Sequence, residues 1–252
     1  MATADEWRDL IEVLLNAPPL PVEAHTYRNM KFSSISCPVL LACSDGNEYV
    51  VKGNKGGLGR ANSNDQMVGR LATAMGAPVP PVTIVQVAPD LTQNQPDLHD
   101  LPPGLAHGSR YMPDSSNVKQ GIAFQNVPEN RPRFAALAVM YGWATASDHQ
   151  FFYQDGTSFV LSFDHGHFFP GGPNWTIQNL QGAAAAAPDA TIVNGCQLQL
   201  DELTEAKTRL GAVTNATIAA AVASPPAAWG MLPDERVEMA LFLERRRDQL
   251  LA

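Results

Sequence analysis

Short apolar runs of β-type residues are concentrated in the first half of the chain, and this order limits the folds available to it. Residues 35–42 and 48–52 are two such runs. The residues between them include Asp45-Gly46, and an Asp-Gly pair between apolar runs is a strong signal for a β-hairpin. A further run covers residues 79–88. The first half of the chain is therefore predicted to be rich in strands.

Helical spacing of apolar residues marks further segments in both halves of the chain and dominates the second half. Apolar residues that recur every three or four positions predict an amphipathic helix. By this criterion the helices are residues 4–16, 62–75, 131–146, 201–222 and 233–250. One further hairpin is predicted within the second half, because a second Asp-Gly pair separates residues 151–154 from residues 158–164.

A polar, proline-rich segment, residues 89–104, separates the two halves. Its composition is typical of a loop or a linker. We therefore expect a single α+β unit over residues 1–252 with two lobes. The N-terminal lobe, residues 22–104, would be strand-rich, and the C-terminal lobe, residues 105–252, would be mostly helical.

Composition argues against several classes of protein. The chain has 17 Lys+Arg against 25 Asp+Glu, a net charge of −8, whereas nucleic-acid-binding surfaces are usually basic. Three cysteines without a CxxC motif cannot form a disulfide framework and fit a reducing compartment. No signal-peptide pattern and no apolar run of about 18 residues is present. We expect a cytoplasmic protein without nucleic-acid or membrane partners.

Lys52 is the first candidate for a functional residue. It ends the apolar run 48–52, where a buried ammonium needs a partner. A lysine in this position can hold nucleotide phosphates when an acidic residue of the next helix pairs with it. Asp65 lies on the next predicted helix. The plain alternative is a lysine at a strand edge that extends into solvent.

Two segments near Lys52 are candidates for phosphate contacts. The glycine-rich residues 53–60 can present backbone N–H groups to an anion, although they do not form a P-loop. A mobile, solvated loop is the alternative for that segment. Ser33 and Ser34 precede the first apolar run, and their hydroxyls and amides offer a second way to cover phosphates.

The strongest chemical signal is a pair of acidic positions on either side of the second predicted hairpin. Asp148 and Asp164 flank apolar stretches, where a bare carboxylate is costly. Two such acids suit phosphoryl transfer, in which one orients the attacking hydroxyl and the other holds Mg²⁺. Gln150 could add a further oxygen ligand to the cation.

The same region admits two other interpretations. His149, His165 and His167, together with the two aspartates, could bind a transition metal for hydrolysis. Alternatively, these residues form only a hydrogen-bonded turn network. The following FFPGGPNW segment, residues 168–175, is either a substrate loop or an aromatic cap on the core. The charge run Glu244–Asp248 is expected to be a solvated helix face.

The order of these motifs resembles that of the HipA-like protein kinases and, more remotely, the phosphoinositide lipid kinases. The resemblance rests on YVVK (49–52), RLATAMGAPVP (70–80), DHQFFY (148–153) and FDHG (163–166). It covers roughly residues 30–175 and implies a two-lobed protein-kinase-like fold that uses ATP and Mg²⁺.

By this resemblance Lys52 corresponds to the ATP-binding lysine and Asp65 to the helix acid, which is usually a glutamate in the family. Asp148 corresponds to the catalytic aspartate and Asp164 to the metal-binding aspartate. One departure is that relatives place an asparagine several residues after the catalytic aspartate, whereas Gln150 is the nearest amide here.

The expected function is transfer of the γ-phosphoryl group of ATP to a hydroxyl of a protein or of a small molecule. Because the asparagine is absent, a pseudokinase or a nucleotide-binding module that acts through partners remains a second hypothesis. A metal-dependent hydrolase is the third.

Overall fold

The computed structural model describes residues 1–54, 59–93, 95–116 and 121–252. Much of the glycine-rich segment proposed for phosphate contacts, residues 55–58, lies outside the described residues. The strands are β1 (Val22–Lys31), β2 (Val39–Cys43), β3 (Glu48–Lys52), β4 (Val82–Val87), β5 (Gly104–Arg110), β6 (Ser115–Ser116), β7 (Phe151–Gln154) and β8 (Val160–Ser162). The α-helices are α1 (Ala4–Leu15), α2 (Ala61–Ala74), α3 (Pro89–Gln93), α4 (Asn130–Ala144), α5 (Ile177–Gln181), α6 (Ala190–Cys196), α7 (Leu200–Gly211), α8 (Asn215–Ala223) and α9 (Pro233–Leu251).

Strands β1 to β5 form a closed barrel in the order β1-β2-β3-β5-β4. The predicted β2–β3 hairpin is confirmed, with Gly46 at a φ of 79° in its turn. Asp45 stabilises the turn by accepting a hydrogen bond from Tyr49 Oη at 2.6 Å. The barrel closes through a short parallel contact between β1 and β4. Its interior is filled mainly by branched aliphatic side chains, among them Val39, Leu41, Val51, Val85 and Val87.

The boundary between the two lobes requires a correction. Residues 89–104 do not connect the lobes, because β5 follows them and pairs with both β3 and β4. The polar segment, which contains α3 and a 3₁₀ turn at Pro96–Leu98, is a connection within the barrel. The strand-rich region therefore extends to Arg110. A polar composition marks a loop, but it does not reveal which elements the loop joins.

The helical part packs around α4. Every residue of α4 from Phe134 to Ala144 is buried, as expected for a helix that is apolar on all sides. Helix α1 also belongs to this part, because it packs on α8 and α9. Trp7 of α1 is fully buried and donates from Nε1 to Glu244 of α9 at 3.1 Å.

A small sheet in the order β6-β7-β8 contains the second predicted hairpin, which is confirmed. Gly156 occupies its turn with a φ of 78°. Gln150 lies just before β7, and Asp164 lies just after β8. The hairpin therefore reverses the chain and brings Gln150 and Asp164 to the same end of the small sheet.

Two other expectations differ from the structure. Residues 201–222 form two helices, α7 and α8, which are separated by residues 212–214. The charge run of α9 is not fully solvated, since Glu244 and Arg246 are 3% and 5% exposed. For the aromatic segment after Asp164 the cap interpretation is correct: Phe168, Phe169 and Trp175 are all buried.

None of the helices in the described part of the chain is both long enough and apolar enough to cross a bilayer.

Arg246 explains why α9 buries a charge. Its guanidinium donates to the carbonyls of Gly142 at 2.5 Å, Trp143 at 2.7 Å and Ala184 at 2.6 Å. Gly142 and Trp143 lie in the last turn of α4, where carbonyls have no partner within the helix. Arg246 thus satisfies the end of the central helix from a neighbouring element.

We predict that Arg246→Met lowers the free energy of unfolding by about 3–5 kcal/mol, because it leaves buried carbonyls without donors. Denaturant unfolding measures this loss. Arg209→Met is the matched control: Arg209 pairs with Glu205 on the surface of α7, and its loss should cost about 0.5 kcal/mol or less. Equal, small effects of the two substitutions would contradict the structural role of Arg246.

Candidate active site

A cavity of about 440 Å³ lies where the barrel meets the segments that flank the β7–β8 hairpin. A volume of this size fits a small-molecule ligand. Of the seven residues predicted for the phosphotransferase site, six line the cavity: Ser33, Ser34, Lys52, Asp65, Gln150 and Asp164. The seventh, Asp148, lies beside the cavity, because its carboxylate is bonded to the side chain of Gln150.

Lys52 at the end of β3 is held by two carboxylates. Its side chain is only 10% exposed, and Nζ donates to Asp65 Oδ2 at 2.9 Å and to Asp164 Oδ1 at 2.6 Å. Burial by itself lowers the pKa of Lys52, but the two carboxylates outweigh burial and hold this pKa above its ordinary value. The ammonium is therefore charged at neutral pH. The alternative of a strand-edge lysine that extends into solvent is wrong.

Asp65 connects Lys52 to the segment after β8. Its Oδ2 accepts from Lys52, and its Oδ1 accepts from the backbone N–H of His165 at 2.5 Å. Burial raises the pKa of Asp65, but the Lys52 ammonium and other nearby groups leave it below its ordinary value. An aspartate is long enough for this ion pair because α2 lies close to the end of β3.

Asp164 is held in an unusual backbone conformation at the edge of the cavity. Its φ is 57°, in the left-handed region that few non-glycine residues adopt, although aspartate enters it more readily than most. Asn64 of α2 helps to hold this segment by donating from Nδ2 to the carbonyls of Gly166 at 2.8 Å and Phe168 at 3.0 Å. The Asp164 side chain remains 30% exposed, so a ligand in the cavity can reach it.

Asp148 and Gln150 form a second polar pair next to Asp164. The carboxylate of Asp148 accepts from the backbone N–H of His149 at 2.9 Å and from Gln150 Nε2 at 2.6 Å. Because the Gln150 nitrogen faces Asp148, its amide oxygen is left without a protein donor among the described residues. The Asp148 carboxylate is thus held in place by two donors, and the Gln150 amide oxygen is free to bind a ligand in the cavity.

The donor set of the site fits a hard divalent cation. Asp164 and Gln150 both line the cavity and offer oxygen atoms, which are the ligands that Mg²⁺ prefers. Asp164 bonds Lys52 through Oδ1 only. Its Oδ2 makes no hydrogen bond within the part of the chain that the structure describes. These two side chains would hold the cation.

The three histidines of the hydrolase hypothesis do not converge. His149 Nε2 bonds Asp189 at 3.0 Å, and His165 Nε2 bonds Ser162 at 2.8 Å. His167 is exposed. Within residues 1–54, 59–93, 95–116 and 121–252, no group of three or more His, Cys, Asp or Glu side chains is arranged to share a metal ion.

The serine segment lies over the cavity in the connection between β1 and β2. Ser33 and Ser34 line the cavity, and the connection is closed by a hydrogen bond from Phe32 N to Pro38 O at 2.8 Å. Both serines are exposed, so their hydroxyls can reach a ligand in the cavity, although that of Ser34 also contacts the Ser36 hydroxyl at 3.2 Å.

Sequence reasoning missed most of the polar residues at the start of α2. Residues 62–66 are five consecutive polar residues, and all five are buried. Asn62 Nδ2, for example, donates to the carbonyls of Lys52 at 3.2 Å and Gly53 at 3.0 Å. An unbroken polar run at the start of a helix is the signal that could have identified them, since solvated helix starts rarely need more than a cap. No sequence signal of this kind marks His107 of β5. The same is true of the parallel ring pair Phe152–Phe163, whose centroids are 3.6 Å apart.

Comparison with known families matches residues 28–153 to the HipA-like kinase family. Among solved structures, the Helicobacter pylori proinflammatory kinase CtkA aligns with a TM-score of 0.61 at 9% identity, over 92% of this chain and 95% of CtkA. HipA of Shewanella oneidensis MR-1, solved with HipB and operator DNA, aligns with a TM-score of 0.42 at 15% identity, over 99% of this chain and 70% of HipA. No curated protein matches significantly.

The similarity to CtkA concerns the fold alone at this level of identity. It confirms the predicted α+β, protein-kinase-like architecture with a strand-rich N-terminal region and a helical C-terminal part. The family match covers half of the chain. The chain belongs to the HipA-like kinase family.

Proposed function

We propose that the protein is an ATP- and Mg²⁺-dependent phosphotransferase that moves the γ-phosphoryl group of ATP to a hydroxyl acceptor. One observation carries the proposal: the buried Lys52 ammonium lies between Asp65 and Asp164 at a cavity large enough for a nucleotide. We further propose that residues 1–252 act as one two-lobed unit, with ATP in the crevice between its parts.

In this proposal Lys52 binds the phosphates. The ammonium has three N–H donors, of which two point to carboxylates, so a third remains for a phosphate oxygen. Ser33 and Ser34, in the connection between β1 and β2, would cover the phosphates with hydroxyl and backbone donors. Asp65 keeps the ammonium charged and in place.

Asp148 acts on the acceptor. Its carboxylate would accept the hydrogen bond of the attacking hydroxyl and take its proton during transfer. The hydrogen bonds from Gln150 and His149 N fix its orientation. Asp164 and Gln150 would hold Mg²⁺, which supplies neutralisation of the charge on the phosphate oxygens.

A nucleotide-binding module without turnover is the second candidate, and one observation favours it. Both oxygens of Asp148 already accept hydrogen bonds within the protein, and the one from Gln150 is short at 2.6 Å. The acceptor hydroxyl would have to compete with these two hydrogen bonds for the Asp148 oxygens. ATP binding without ADP release or phosphoryl transfer by the pure protein would favour this candidate.

We predict that Lys52→Met lowers ATP affinity by about 10- to 100-fold, the loss expected for a charge-assisted hydrogen bond. Isothermal titration of the folded protein with ATP measures the affinity. The thermal stabilisation by ATP should also fall, because a ligand that binds only the native state stabilises it by RT ln(1 + [L]/Kd), which decreases as Kd rises. Lys207→Met on α7 is the control and should bind ATP as the wild type does. An unchanged affinity in Lys52→Met would exclude Lys52 from the nucleotide site.

The two aspartates should separate binding from transfer. Asp148→Asn is expected to bind ATP normally and to lose about 10²- to 10⁴-fold in transfer rate, because a general base is removed. Asp164→Asn is expected to lose the Mg²⁺-dependent part of ATP affinity as well. Calorimetry with and without Mg²⁺, combined with an ADP-release assay, measures both effects.

Asp155→Asn, in the exposed turn of the β7–β8 hairpin, serves as the control for both variants. Normal turnover in Asp148→Asn and Asp164→Asn would contradict the phosphoryl-transfer proposal.

A further inference from the structure

His107 is a buried residue of the cavity wall to which the proposed mechanism gives no part. It lies on β5 directly opposite Lys52 of β3 in the strand register. Side chains at such paired positions have Cβ atoms about 4.5–5.5 Å apart on the same face of the sheet. His107 is 2% exposed, and it lines the cavity together with Lys52.

A chain of hydrogen bonds determines which nitrogen of His107 carries the proton. Gln66 satisfies all its neighbours when its amide oxygen accepts from Arg70 Nε at 3.0 Å and its amide nitrogen donates to Thr83 O at 3.3 Å and to His107 Nδ1 at 2.9 Å. Arg70 can only donate, so the orientation of the Gln66 amide is fixed. Nδ1 of His107 is therefore an acceptor, and the proton resides on Nε2.

Within the part of the chain that the structure describes, the Nε2–H group has no protein acceptor. No described residue accepts a hydrogen bond from this nitrogen. It is also absent from the fully buried polar atoms that lack a partner, so it keeps some accessible surface. Burial lowers the pKa of His107 to about 4, so the ring is neutral at neutral pH. A neutral donor thus faces the cavity beside the Lys52 ammonium.

We infer that His107 Nε2–H and Lys52 Nζ together anchor one phosphate group of the bound nucleotide. This inference rests on the proposed function and deepens it. A phosphate oxygen is the acceptor that suits a site already holding a cation. The neutral imidazole adds a directed hydrogen bond without adding a second positive charge beside Lys52.

Two amide substitutions separate the two ends of the imidazole. His107→Asn retains an amide near the position of Nδ1, where it can still bond Gln66, but it has no group at the position of Nε2. His107→Gln places an amide nitrogen near the position of Nε2. We expect His107→Asn to lower ATP affinity about tenfold, as for a lost hydrogen bond to a charged group, and His107→Gln to retain most of it.

Binding of adenosine distinguishes a phosphate contact from a structural role. Adenosine carries no phosphate, so its affinity should be the same in the wild type, in both His107 variants and in the control His25→Asn, which changes an exposed histidine of β1. Equal losses of ATP and adenosine affinity would assign His107 a purely structural role and overturn the inference. Wild-type ATP affinity in His107→Asn would also overturn it.

The wild-type protein provides a test that does not depend on how the variants fold. Long-range ¹H–¹⁵N correlation spectra of the imidazole should show the proton on Nε2, with an Nε2 shift that changes on addition of ATP but not of adenosine. Protonation at Nδ1, or an Nε2 signal that does not respond to ATP, would overturn the inference.

The Lys52→Met variant separates failure of this inference from failure of the proposed function. If Lys52→Met loses ATP affinity and His107→Asn does not, only the role of His107 is excluded. If Lys52→Met itself binds ATP as the wild type does, the proposed function fails and the inference about His107 fails with it.

Discussion

The Lys52 ammonium is buried, and the arrangement of the site follows from the need to neutralise it. A buried charge is tolerated only when it is paired and hydrogen-bonded. Asp65 supplies the first carboxylate from α2, and Asp164 supplies the second from the segment after β8. Because Asp65 also accepts the backbone N–H of His165, one side chain joins the barrel to the segment after β8. The Asp65 carboxylate therefore both neutralises the buried ammonium and holds the barrel against the segment after β8.

The start of α2 extends this connection in both directions. Asn62 holds the carbonyl of Lys52 on the barrel side, and Asn64 holds Gly166 and Phe168 on the other side. Gln66 reaches His107 on β5. Successive polar residues thus contact different parts of the molecule, which explains why a helix start that looks solvated in sequence is fully buried in the fold. Movement of α2 would alter Lys52, Asp164 and His107 together.

Local patterns predicted the parts of this arrangement that depend on neighbouring residues. The hairpins at Asp45-Gly46 and Asp155-Gly156 follow from turn chemistry, and pairing of Lys52 with an acid on the next helix follows from the cost of burying an ammonium. Contacts between distant segments were not predictable in the same way. Strand β5 enters the barrel after a polar connection, and Arg246 is buried because the carbonyls at the end of α4, about a hundred residues earlier in the chain, need donors.

A double-mutant cycle on Lys52 and Asp65 tests the central claim most directly. Lys52→Met removes the ammonium that neutralises the buried carboxylate of Asp65. Asp65→Asn removes one of the two carboxylates that pair with the ammonium, and its amide oxygen can still accept from the His165 N–H. Each single variant should lose about 3–5 kcal/mol of unfolding free energy, and the double variant should lose clearly less than the sum of the two. The double variant should also bind ATP at least about 10- to 100-fold more weakly than the wild type. Additive losses together with retained ATP binding would contradict the account.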